Sequence, residues 1–151
     1  MRISNLLSFV SCCAISSTIF TTPLAAQDQA VDEVLGPRIS VELNAAQAQE
    51  KGCKLSFLVL NGHQKDISKT VLETVIFDKS GQVNRMTLFD FGALPQGRPR
   101  VRQFVIPATQ CNEIGQILFN GAQTCEGSEL PEGACMKEIR LNSRTDIAVL
   151  G

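Results

Sequence analysis

The chain has 151 residues, with 14 Lys+Arg against 15 Asp+Glu, 44% apolar residues, one His, and neither Trp nor Tyr. So balanced a charge excludes a general nucleic-acid binder, which needs a net positive field. The apolar content excludes a disordered chain. The missing Trp and Tyr, with a single imidazole, exclude most aromatic-cage, base-stacking and His-based catalytic schemes.

Residues 1–26 have the layout of a signal peptide: Met1-Arg2, an apolar run over 6–20, and small residues at 23–26 before Gln27-Asp28. Cleavage is expected after Ala26. It would leave 13 basic against 15 acidic residues, in one domain of about 125 residues. The apolar run falls short of the roughly 20 residues a membrane-spanning helix needs. No longer run follows, so no membrane insertion is expected after cleavage. A lipoprotein signal ending at Cys12 is the weaker alternative, because Phe9 is a poor residue three before the Cys. The mature protein is expected in the periplasm or outside the cell.

Residues 27–38 are polar, end near Gly36-Pro37, and read as a flexible lead-in. One domain is expected over 39–151. Residues 39–43 (ISVEL) alternate like a half-buried strand. Residues 44–51 are ambiguous and read as a loop with a turn of helix. Strands are expected at 54–60 (KLSFLVL), closed by Asn61-Gly62, and at 68–78 (SKTVLETVIFD). Asp78-Lys79-Ser80-Gly81 is a hairpin signal with Gly81 at a positive φ. Residues 82–90 are the fourth strand, with Val83, Arg85, Thr87 and Phe89 on one face. Residues 91–99, with two Gly and two Pro, are expected to be a loop. Strands follow at 100–106, stopped by Pro107, and at 114–120, where Gly115 marks a bulge or close packing. Residues 136–141 and 146–150 could each add one. The mature Phe residues fall mostly inside these strands and are expected to fill a core. Short strands spaced by Gly and Pro predict an all-β, Ig-like antiparallel sandwich of about seven strands.

Four Cys remain after the signal: Cys53, Cys111, Cys125 and Cys135. An even number in an exported chain predicts two disulfides. A strand between Cys111 and Cys125 would hold them too far apart to bond. Cys125 and Cys135 flank a loop that can fold back, which leaves Cys53 with Cys111. With strands alternating in direction, those two fall at the same end of the sandwich. No C-x₂₋₄-C spacing supports a metal site, and no cofactor is expected.

The run CKLSFLVLNG…LETVIFDKSGQVNRMTLFDFGALPQGRPRVRQFVIP…CNEIGQILFNGAQTC resembles a group of small exported proteins of alphaproteobacteria. More loosely, the Phe77-Asp78-x-x-Gly81 and Leu94-Pro95-x-Gly97 segments are similar to FxLYD-type Ig-like domains of bacterial envelope proteins. The resemblance implies an Ig-like sandwich in an envelope setting and supplies no site residue.

Motifs for catalysis are weak. There is no G-x-S-x-G elbow. His63 lies in the 61–66 loop and is expected to be solvent-exposed. Asp90-Phe91-Gly92 matches a kinase triplet without its companions. The candidate surface is basic: Arg98, Arg100 and Arg102, with Arg85 on the preceding strand. Alternation puts Arg100 and Arg102 on one face. They could form an anion-binding stripe beside loop 91–99, or a solvated face paired to Glu73 or Asp90. The expected function is a non-enzymatic interaction module for an envelope protein or polymer. The alternative is a small secreted hydrolase or an enzyme inhibitor presenting residues 126–134.

Overall fold

A computed structural model describes residues 36–151. The signal segment, Cys12 and most of the lead-in lie outside the described residues. Eight strands form two four-stranded sheets: β1 (Ile39–Gln49), β2 (Gly52–Asn61), β3 (Ile67–Asp78), β4 (Val83–Leu94), β5 (Arg100–Pro107), β6 (Ile114–Glu126), β7 (Arg140–Ser143) and β8 (Ala148–Leu150). The first sheet runs β5-β2-β1-β7 and the second β4-β3-β6-β8. This is the expected Ig-like sandwich.

The core follows from strand alternation. Ile39, Val41 and Leu43 of β1 and Leu55, Phe57 and Val59 of β2 face Leu72 and Ile76 of β3 and Ile117 and Phe119 of β6. Phe57 sits at the centre, with its ring centroid 5.8–6.0 Å from those of Phe89, Phe91, Phe104 and Phe119. Phe89 and Phe104 stack across the two sheets at 4.1 Å. The aromatic cluster therefore cements β4 to β5 as well as filling the interior.

Three strands are longer than the sequence suggests. Residues 44–49 do not turn into helix; they continue β1 past a bulge at Asn44, pairing Ala45 with Ser56 and Gln49 with Gly52. β4 runs on through Phe91 to Leu94, bulged near Gly92, so the expected loop 91–99 shrinks to 95–99. β6 extends to Glu126 along β3. The 78–81 hairpin is as expected: Gly81 has φ 83°, and Asp78 Oδ1 accepts hydrogen bonds from the Ser80 N–H, the Ser80 hydroxyl and the Gln82 N–H. Gly115 lies opposite a bulge between Phe77 and Asp78. A Cβ there would stand 2.4 Å from the Asp78 carbonyl oxygen, so close backbone approach is what requires glycine.

The C-terminal strands depart from an all-antiparallel arrangement. Residues 136–139 form turns rather than strand. β7 pairs with β1 in parallel, and β8 pairs with β6 in parallel. Four residues of β7 bury little by themselves; what fixes them is Glu42. It accepts hydrogen bonds from Arg144 Nε at 2.7 Å and Asn142 Nδ2 at 3.0 Å. Desolvation raises the Glu42 pKa, but the bonds from Arg144, Asn44 and Asn142 and the Arg144 charge outweigh it, so the carboxyl titrates below the usual range. A carboxyl depressed on folding contributes stability that is present above its unfolded pKa and lost as pH falls through the folded one. Glu42→Gln should therefore destabilise by about 1 kcal/mol at neutral pH. The difference should fade in acid below the glutamate range, measured by urea unfolding at both pH values. A difference that persists unchanged in acid would contradict this role.

Both disulfides have the expected partners. Cys53–Cys111 joins the start of β2 to the single 3-10 turn before β6, with Cα atoms 4.9 Å apart. Cys125–Cys135 closes the loop after β6, at 5.9 Å. The first links one sheet to the other. With all four sulfurs bonded, none is a free thiolate for metal binding or redox chemistry. No helix among the described residues is long and apolar enough to cross a membrane.

Candidate functional site

The four candidate arginines do not form one stripe. Arg100 and Arg102 share a face of β5, as alternation requires, but it is the face that carries Phe104 and the buried Ile106. That face points toward the opposite sheet. β5 is the outermost strand of its sheet, so the guanidinium groups sit at the open side of the sandwich.

Arg102 uses this position structurally. Its Nε donates to the Phe91 carbonyl at 2.6 Å and its Nη2 to the Ala93 carbonyl at 3.0 Å. One side chain thus ties edge strand β5 to edge strand β4. Arg100 donates to the Pro99 carbonyl at 3.1 Å. Arg85 lies elsewhere: β4 and β5 run in opposite directions where Phe89 meets Phe104 and Phe91 meets Arg102. Counting four residues each way at about 3.3 Å per residue puts Arg85 roughly 25 Å from Arg100.

The carboxylates expected to pair with this stripe are engaged by other groups. Lys69 pairs with Asp90 at 3.2 Å, and Gly92 N–H donates to Asp90 Oδ1 at 2.8 Å. The Lys69 hydrogen bond and then the Gly92 N–H hold the Asp90 carboxyl below its usual range, with a smaller contribution from the Arg102 charge. These contacts make Asp90-Phe91-Gly92 a strand bulge. Glu73 accepts from Asn120 Nδ2 at 3.4 Å. Among the described residues, Arg85, Arg98, Arg100 and Arg102 have no carboxylate partner.

Arg98 ends a tight turn over residues 95–98, closed by its own N–H to the Pro95 carbonyl at 3.3 Å, with Gly97 at φ 63°. The turn is held from three directions. Gly97 N–H donates to the Asn61 carbonyl at 2.9 Å, Gln96 N–H donates to Asp66 Oδ1 at 2.8 Å, and Asn61 Nδ2 donates to the Leu94 carbonyl at 2.9 Å. Asn61 is fully buried. Its amide also donates to the Lys65 carbonyl, and its Oδ1 accepts from His63 N–H. Sequence reading sees only a turn signal here. An Asn-Gly pair after a strand shows that the chain turns, not that the Asn side chain will organise two loops.

His63 is not solvent-exposed: it is 5% exposed. Its ring Nε2 lies 2.8 Å from the Ala134 carbonyl. A carbonyl can only accept, so Nε2 carries the proton. The ring lines a cavity of about 260 Å³ with Pro37, Pro131, Glu132, Ala134, Lys137 and Glu138. Among the described residues that line it there is no hydroxyl or thiol.

Residues 126–129 and 131–133 are exposed on a loop closed by Cys125–Cys135, and three contacts anchor that loop to the sandwich. Leu130 packs against the core, Lys65 pairs with Glu129, and the Ser68 hydroxyl donates to the Glu126 carbonyl at 3.1 Å.

No family model and no curated protein matches the chain. Among solved structures, the Salmonella enterica trimeric lipoprotein SadB aligns with a TM-score of 0.42 at 13% identity. The alignment covers 46% of this chain and 40% of that one, less than half of either.

Proposed function

We propose that this chain is a non-enzymatic interaction module of an extracytoplasmic compartment, periplasmic or secreted, and that it engages an anionic partner at the 95–100 end of the sandwich. Two disulfides suit an oxidising compartment, and the signal layout of residues 1–26 agrees with it. The observation that carries the reading is the presentation of Arg98 and Arg100. Arg98 is exposed on a turn locked by Asn61 and Asp66, and Arg100 is half-buried at the start of β5. Neither has a carboxylate partner among the described residues. The held backbone fixes where both side chains start, and their unpaired guanidinium groups can donate to a carboxylate, sulfate or phosphate. The partner is an acidic envelope protein or polymer, and no nucleic acid is involved. A non-catalytic role is supported by how the polar groups are used: His63 bonds a carbonyl, and Asp78 Oδ1 accepts three bonds within its own turn.

The test leaves Arg102 in place, because its bonds to β4 make it structural. Arg98→Glu with Arg100→Glu should abolish retention on an immobilised polyanion. It should also remove the adducts formed in the native envelope by a photo-crosslinker at Gln96. Unfolding stability should change by no more than about 0.5 kcal/mol. Adducts and retention that survive the double substitution would reject this surface.

A further inference from the structure

The second sheet carries one apolar row across a mixed outer face, and its edge strand β4 is bulged at Asn84 and near Gly92 but regular between them. Val75 lies opposite Met86 on one side and Leu118 on the other, and Leu118 lies opposite Leu150. One apolar row thus crosses all four strands, away from the core. Met86 is 68% exposed, and its neighbour on the same face, Leu88, is 50% exposed.

The four sheet edges differ in how they resist pairing with another chain. β7 and β8 are only four and three residues long. β5 is bracketed by Pro99 and Pro107, which lack an N–H. β4 spans 12 residues with neither Pro nor Lys. Among the described residues it has a strand neighbour only on its β3 side. Arg102 occupies the Phe91 and Ala93 carbonyls, and Asn84 is bulged, which leaves residues 85–90 as the regular open stretch.

That stretch is complementary to itself. Asn84, Met86, Leu88 and Asp90 alternate on the outer face. Two copies related by a twofold axis pair in antiparallel fashion, so position i meets position j with i + j constant. Centred on Thr87, Met86 meets Leu88 of the second copy and Asn84 meets Asp90. Centred on Met86, Asn84 would meet Leu88; centred on Leu88, Met86 would meet Asp90. Only the Thr87 register sets Met86 against Leu88 and puts neither of them opposite Asn84 or Asp90.

We infer that the chain forms a homodimer through antiparallel pairing of β4 about Thr87, giving one continuous eight-stranded sheet. This surface is separate from the 95–100 turn, so the two readings stand or fall independently. Sedimentation velocity on the purified protein should show a monomer–dimer equilibrium. Met86→Lys alone and Leu88→Asp alone should each weaken it by about tenfold or more. The double variant should restore it, since each new charge then faces its opposite across the seam. Thr87→Cys should form an intermolecular disulfide on oxidation, because directly opposed Cα atoms lie about 4.5–5.5 Å apart. Leu88→Cys should not, because its own symmetry mate is a diagonal neighbour roughly 7–8 Å away. A monomer throughout the micromolar range would overturn the inference, whatever else covers β4. So would a dimer indifferent to the single charges, or crosslinking at position 88 in preference to 87.

Discussion

Phe57→Ala should destabilise the protein by about 4 kcal/mol, toward the upper end of large-to-small core substitutions. Phe57 is fully buried and touches four other phenylalanines, two on β4 and one each on β5 and β6. Truncation therefore removes its own transfer energy and edge-on contacts worth roughly 0.5–1.5 kcal/mol apiece. It also opens a void between two sheets whose backbones are fixed by hydrogen bonds and a disulfide, so the site cannot collapse. With no Trp or Tyr in the chain, unfolding must be followed by far-UV circular dichroism in urea. A cost below about 2 kcal/mol would mean that the ring does not sit where the packing converges.

The Cys53–Cys111 bond is the second large contributor. It closes 58 residues of chain, against 10 for Cys125–Cys135. In the chain-entropy account this corresponds to about 4 kcal/mol for the first and about 2.5 for the second. Replacing both residues of the first pair by Ala should thus lower the unfolding free energy by more than the same replacement in the second. It also frees the corner where β2, β5 and the start of β6 meet. Denaturation curves of the two double variants decide the matter; equal losses, or the reverse order, would refute the ranking.

Much of this architecture is legible in the residues. β3 and β5 agree with expectation to within one residue because dense β-branched and aromatic runs end at strong turn or proline signals. The disulfide pairing was legible because an extended β6 keeps Cys111 from Cys125 and strand direction brings Cys53 to Cys111. The errors share one cause, long-range pairing that overrides local preference. Residues 45–49 (AAQAQ) have little strand propensity and become strand only because β2 lies beside them in register. Phe91 to Leu94 looks like loop because of Gly92, which instead marks a bulge. β7 and β8 join in parallel because of contacts such as Glu42–Arg144, more than 100 positions apart in the chain, and no local pattern encodes them.

The basic surface was only half legible. Alternation correctly puts Arg100 and Arg102 on one side of β5. It does not say which side, and on an outermost strand the inward side is still reachable by solvent. Nor could it show that β4 and β5 run past each other in opposite directions, which separates Arg85 from the rest. A polar loop flanked by Gly and Lys reads as exposed, yet His63 is buried, because the turn after Pro131 that covers it is about 70 residues away.

Among the described residues the two cystines pair each cysteine with the next along the chain, Cys53 with Cys111 and Cys125 with Cys135. Synthesis delivers a polypeptide from its N-terminus. When Cys111 emerges, the sole earlier thiol within the described residues is Cys53, already its correct mate. The later pair then has only itself to choose. An oxidant that simply joins cysteines as they appear would build the correct covalent map without an isomerase to proofread it.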